Sequence, residues 1–188
     1  AQAGGVVAEL AERVGLPAAA LDRYPHELSG GMAQRVGVAL ALAGDPTVVL
    51  ADEPTTGLDR PLVDRTVDLL AGLAAEEGRA VLMITHDLRA ARRIATDVAV
   101  MYASRLVEVG PADAVFGEPL HPYTAGLLGA LPSGGFRPIP GHPPELTALP
   151  AGCGFRPRCA ARTDGHCSDD PSLVPHGERR VACRRLPC

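Results

Sequence analysis

Apolar residues recur at helical spacing from Val6 to Val14, and Gly15-Leu16-Pro17 then supplies a stop signal. A second short helix is predicted over Ala18 to Arg23. Ser29-Gly30-Gly31 precedes an apolar run from Met32 to Ala43, which Gly44-Asp45-Pro46 closes. Thr47 to Ala51 is a continuous apolar run of strand length, the pattern of a buried parallel strand. Pro61 stands at a first helical position, and helical periodicity continues over Leu62 to Glu77, up to Gly78. Ala80 to Thr85 repeats the buried-strand pattern; Asp87 to Ala95 predicts a helix and Asp97 to Tyr102 a third strand. Ala103-Ser104 predicts a tight turn into Arg105 to Val109. Strands alternating with helices predict an α/β fold whose sheet is mostly parallel.

The texture changes after Phe116. Pro119, Pro122, Pro132, Pro138, Pro140, Pro143 and Pro144 punctuate the chain, with a short helix over Tyr123 to Leu131. That composition suits a linker or an extended wrapping segment. A Cys-rich module starts at Cys153, and no internal repeats are visible.

Composition narrows the class. With 188 residues, 46% of them hydrophobic, and a net charge of -4, the chain can hold one domain with a real core plus an appendage. No apolar stretch approaches the roughly 18 residues that read as a membrane span. The N-terminus shows no secretion signal and no initiator Met, so the chain is expected to begin partway through a longer protein. All 18 basic residues are Arg. A P-loop requires Gly-x-x-x-x-Gly-Lys-[Ser/Thr], and without a Lys these residues cannot contain one. Residues 151 to 188 carry seven Arg against four acids. With aromatics at 3%, that surplus describes a solvated basic tail rather than a nucleic-acid patch.

Three places carry candidate chemistry. At Ser29-Gly30-Gly31 the glycines let backbone N–H groups approach an anion, Ser29 can cap the helix that follows, and the helix dipole points at the same spot. An ordinary loop-to-helix junction has the same three residues. Asp52 and Glu53 end a buried strand, where Asp52 can hold Mg²⁺ beside phosphates and Glu53, directed elsewhere by strand alternation, can polarise a water. Two acids merely capping a strand end are the plain alternative. His86 ends the next strand, the side of an open α/β sheet at which ligands bind.

Taken together, Leu28-Ser29-Gly30-Gly31-Met32-Ala33-Gln34-Arg35, Val48 to Thr55, Pro54 to Asp59 and Ile84-Thr85-His86-Asp87 resemble the signature, Walker B, D-loop and switch-histidine motifs of ATP-binding cassette (ABC) ATPases. The resemblance covers nearly the whole chain. It implies the C-terminal part of a RecA-like P-loop NTPase domain, with ATP and Mg²⁺ bound and ATP hydrolysed. Glu53 and His86 would then be catalytic, with His86 contacting the γ-phosphate, and Asp52 would hold Mg²⁺. Ser29, Gly30, Gly31, Gln34 and Asp59 would meet ATP across a dimer interface. The Walker A, aromatic and glutamine loops of the family lie upstream of its signature, and none is present here.

His121-Pro122-Tyr123-Thr124-Ala125-Gly126-Leu127-Leu128 and the Cys cluster are similar to the C-terminal extension of dipeptide, oligopeptide and nickel importer ATPases. Cys153, Cys159, Cys167 and Cys183 lack closely spaced pairs, with Cys188 left over. Their residue types leave a cross-link, zinc or free thiols open. The resemblance adds a [4Fe–4S] cluster.

The domain division expected is residues 1–45 for the helical subdomain with the signature, 46–118 for the catalytic core, and 119–188 for the extension, its Cys cluster at 153–188. The implied protein is the ATPase subunit of a peptide importer on the cytoplasmic face of a bacterial plasma membrane. Its partners would be a second cassette (identical or not), two membrane permease subunits and, indirectly, an extracytoplasmic solute-binding protein, with no nucleic acid. Two other readings compete: a soluble ABC ATPase of DNA repair or translation, and a non-catalytic fragment keeping only a metal-binding module. The 188 residues alone are expected to lack appreciable ATPase activity.

Overall fold

The computed structural model describes residues 2–75, 78–162, 165, 167–169 and 171–185; Glu77 and Cys188 lie outside them. The chain forms two compact units, Ala1–Ile94 and Ala95–Cys188. Among the described residues no helix is long and apolar enough to cross a membrane.

The first unit is built around one amphipathic helix. Its elements are helix α1 (Gln2–Arg13), helix α2 (Gly30–Leu42), strand β1 (Val48–Asp52), helix α3 (Arg60–Ala75), strand β2 (Ala80–Ile84) and helix α4 (Leu88–Ile94). Along α3, Val63, Thr66, Val67, Leu70 and Leu73 fall at three- and four-residue steps and are all buried. Leu70 and Leu73 pack with Leu42 and Val49, while Val63 and Val67 pack with Ala90 of α4. Burying each such side chain contributes about 1.5–3 kcal/mol. The predicted helix over Ala18 to Arg23 is only a 3₁₀ turn at Ala18–Ala20.

β1 and β2 pair in parallel with Val49 opposite Val81 and Asp52 opposite Ile84. The expectation of fully buried strands is corrected here. Val49, Ala51, Val81 and Met83 face the core, but Val48, Leu50, Leu82 and Ile84 are 54, 72, 58 and 56% exposed. Within the first unit, α3 packs on one face of the pair, and the other face is largely exposed.

The third strand and the tight turn after it form as expected, but they do not continue a mostly parallel sheet. Strand β3 (Asp97–Tyr102) pairs antiparallel with strand β4 (Arg105–Pro111), in a sheet separate from β1 and β2. The turn chemistry explains this. Ala103 and Ser104 both take left-handed φ, 50° and 61°, the two-residue hairpin geometry that matches strand twist. Helix α5 (Ala112–Gly117) and helix α6 (Pro122–Gly129) follow, and strand β5 (Val174–His176) and strand β6 (Arg179–Val181) complete the order β3-β4-β6-β5.

The proline-rich stretch wraps the second unit. Arg158 donates to the carbonyls of Ile139 and Pro140 and lies over the Tyr102 ring at 5.9 Å. Tyr102, Tyr123 and Phe155 form one cluster with centroids 4.5, 5.2 and 5.5 Å apart. The chain has six Phe and Tyr residues in all, so half of its aromatic surface is spent joining hairpin, α6 and Cys-rich segment.

Candidate functional site

The C-terminal ends of β1 and β2 bring Asp52, Glu53 and His86 together. Asp52 is exposed at the last position of β1. Glu53 has left the strand. Its φ of 45° lies in the left-handed region, at an order-of-magnitude cost of about 1–3 kcal/mol for a non-Gly residue, while its N–H donates to the Ile84 carbonyl. The direction of its side chain therefore comes from that turn, not from the strand alternation assumed from sequence.

Both carboxylate oxygens of Glu53 are engaged. Oε1 lies 2.8 Å from His86 Nδ1 and accepts the His86 N–H at 3.1 Å; Oε2 accepts the Thr56 hydroxyl at 3.3 Å. The imidazole beside it holds the Glu53 carboxyl below its ordinary range, and the carboxylate in turn raises His86. The His86 side chain is 82% exposed, so the pair is open to a ligand from solvent. An ionised carboxylate of this kind can orient and polarise a water, and a protonated imidazole can face an anion.

The loop after His86 is rigidified locally. Asp87 accepts from the N–H groups of Arg89 and Ala90 at the start of α4, and Arg60 lies 3.6 Å from its other oxygen. Asp59 accepts the Leu62 N–H at 3.1 Å and so caps α3.

Ser29 caps α2 by accepting the Met32 N–H at 3.3 Å, and Gly30 and Gly31 form its first turn. Ser29 and Gly30 are exposed at this helix N-terminus, and Gly31 is half-buried. Gln34 is placed differently from that end: its side-chain amide donates to the Pro54 carbonyl at 3.3 Å. Arg35 holds the same turn, donating to the Gly31 carbonyl at 3.1 Å and to that of Gly15. Sequence reasoning gave Thr56 and Arg35 no role, although the former lies inside the D-loop string and the latter inside the signature string.

Among the described residues no group of three or more His, Cys, Asp or Glu could hold a metal ion as placed. For Mg²⁺ this is no obstacle, because that ion is commonly held by one or two carboxylates, water and substrate phosphates. The four described cysteines are free and half-buried. Cys159 lies within electrostatic reach of Cys153, Cys167 and Cys183, and burial raises the thiols of Cys153 and Cys159.

The second unit holds a different Glu–His arrangement. Glu108 is fully buried and accepts the N–H groups of Leu120 and His121 at 3.0 and 2.9 Å, with Arg179 at 3.5 Å. His121 Nδ1 accepts the Tyr123 N–H at 3.0 Å, capping α6. Burial pushes His121 down to about 4, against the opposing pull of Glu108. No sequence signal singled out Glu108.

Paired parallel strands with acids at the end of one and a histidine just beyond the other, and a glycine-led helix tied to the same turn, define a segment of a nucleotide-binding α/β cassette. Solved cassettes agree. The ATP-binding cassette MJ0796, in a dimeric post-hydrolysis state with ADP and Pi, superposes with a TM-score of 0.53 at 32% identity over 55% of this chain and 44% of that one. CbiO1 from Clostridium perfringens, part of the ABC transporter complex cbiONQ, gives 0.53 at 32% identity over 61% of this chain and 45% of its own.

The profile described as "ABC transporter" matches residues 2–56, and that described as "Oligopeptide/dipeptide transporter, C-terminal region" matches residues 107–167. Peptide import ATP-binding proteins of Brucella ovis and Brucella abortus are each 44% identical, over 96% and 95% of the chain. The chain belongs to the ABC transporter ATP-binding family, with peptide import ATP-binding proteins among its relatives. It spans 58% and 56% of the length of those two relatives.

Proposed function

We propose that these residues supply the signature helix and the hydrolytic carboxylate of an ATP-hydrolysing subunit that powers peptide import. The observation carrying the reading is the Glu53–His86 contact at the ends of two adjacent parallel strands. Glu53 orients and polarises the attacking water, and His86, its proton affinity raised by Glu53, faces the γ-phosphate. Asp52 holds Mg²⁺, which neutralises charge on the phosphates when bound. Ser29, Gly30 and Gly31 meet the ATP of a second cassette through backbone N–H groups and the α2 dipole. Asp59 reaches toward that partner from the end of the D-loop.

The proposed assembly pairs two cassettes beneath two permease subunits at the cytoplasmic face of a bacterial plasma membrane, with a solute-binding protein delivering peptide. Residues 1–45 act as the signature-bearing subdomain, 46–118 as the catalytic core and 119–188 as the extension. The match of residues 107–167 to the transporter C-terminal region favours this over a DNA-repair or translation ATPase.

In the extension, Cys153, Cys159, Cys167 and Cys183 would hold a [4Fe–4S] cluster or zinc. Free thiols, with Cys159 in electrostatic reach of the other three, support the reading, although as placed the four are not gathered into a ligating group. Binding would release the thiol protons that burial retains on Cys153 and Cys159. Anaerobic purification followed by iron, sulfide and zinc analysis separates the two; neither metal in native protein removes the assignment.

The decisive test is Glu53→Gln in the assembled transporter. Hydrolysis should stop while ATP stays bound and cassette dimers accumulate. Continued hydrolysis, or loss of ATP binding together with hydrolysis, would overturn the role of Glu53. The 188 residues alone should show no appreciable turnover.

A further inference from the structure

We propose that Gln34 is a positioning residue, which latches the signature helix to the turn that aims Glu53 of the same chain. The proposal rests on the role given to Glu53 above. Gln34 stands one turn into α2, and its amide nitrogen donates to the carbonyl of Pro54, the residue directly after Glu53. A carbonyl can be met only by the NH₂ end of the amide, which fixes the orientation of this side chain.

The turn it grips is the one holding Glu53 at φ 45°. The N–H of Glu53 is tied to the Ile84 carbonyl, so one side of the turn is anchored to β2. Gln34 anchors the other side through Pro54. With both sides held, the Glu53 carboxylate stays where His86 Nδ1, the His86 N–H and the Thr56 hydroxyl meet it.

A second contact joins the same two segments. At Gly31, three residues before Gln34 and on the same helix face, a Cβ would stand 3.3 Å from Leu58 Cδ2 and 3.4 Å from Leu62 Cδ1. The first turn of α2 is therefore seated directly on the chain that leaves Glu53. Arg35 stiffens that turn through the Gly31 carbonyl. The helix end offered to one nucleotide and the carboxylate serving another are thus mechanically connected within one chain, and Gln34 is the polar half of the connection.

The test uses Gln34→Met and Gln34→Glu, which keep the length of the side chain but cannot donate to a carbonyl, and Gln34→Lys, which can. In the 188-residue chain, amide exchange of His86 reports whether Glu53 Oε1 is in place. Met and Glu should speed that exchange about five- to tenfold, while the β1–β2 ladder amides keep their rates and Lys restores protection. Unchanged His86 exchange in both variants, or equal loosening of the ladder, overturns the proposal. In the assembled transporter the Met variant should lower kcat for ATP with KM unchanged; a raised KM at constant kcat would instead assign Gln34 to nucleotide binding and overturn it. If Glu53→Gln proves still active, the proposed hydrolytic role fails while the exchange result stands by itself.

Discussion

Two Glu–His pairs, one in each unit, use the same residue types for opposite ends. Glu53 and His86 touch through their side chains on an open surface, and the hydrogen bond to Glu53, together with its charge, raises the histidine. Glu108 and His121 are shut inside the second unit, where the carboxylate is consumed by backbone N–H groups and burial lowers the histidine to about 4. Solvent access separates the roles. A buried pair whose hydrogen bonds are all spent on its own chain holds an architecture together, whereas an exposed pair keeps capacity for a ligand.

The contrast is most severely tested by removing each carboxylate. Glu108→Ala leaves the N–H groups of Leu120 and His121 without their acceptor and removes the ion-pair partner of Arg179, and should cost about 3–5 kcal/mol of second-unit stability. Glu53→Ala should leave the urea midpoint unchanged. Equal losses in the two variants would abolish the distinction.

Acid titration gives the next largest effect. A histidine held at about 4 in the fold and near 6.5 in the unfolded chain contributes stability in full above pH 6.5. That stability is lost as pH falls toward 4, by about 3 kcal/mol. Urea midpoints measured across this window should fall, and His121→Asn should flatten the fall. His86 has the opposite sign, since a raised pKa favours the fold below 6.5 and loses its effect as pH rises through the folded value. NMR titration should place His86 above its ordinary value, and Glu53→Gln should remove the rise.

A smaller effect sharpens the picture of the exposed unit. Ser29→Ala removes the cap on α2 and should cost about 1 kcal/mol, seen in thermal melts of the chain. A loss several times larger would mean that Ser29 supports the core rather than a helix end open to a ligand.

Much of the first unit was legible because its signals are local. The periodicity of α3, the cap at Ser29 and the apolar runs of β1 and β2 each lie within a few residues of what they specify. The second unit was less so. Val174-Pro175-His176 and Arg179-Arg180-Val181 show no apolar alternation, and they become strands because β4 offers an edge to β6 with Val181 opposite Glu108. Gly110 illustrates the same dependence on distant chain. A Cβ there would fall 2.5 Å from Arg179 Cγ, a crowding that becomes visible only once β6 has docked.

By itself the sequence determined the kinds of chemistry available: the acids at a strand end, the glycine-led helix, the histidine just beyond the next strand, and the absence of any lysine for a P-loop. Tertiary structure alone decided how those groups are aimed. The left-handed turn directs Glu53 toward His86, and Gln34 reaches Pro54 instead of the helix end beside which it stands. It also decided which of two Glu–His pairs faces water. Motif strings specify residue types at short range, whereas direction and exposure come from chain that returns from far along the sequence.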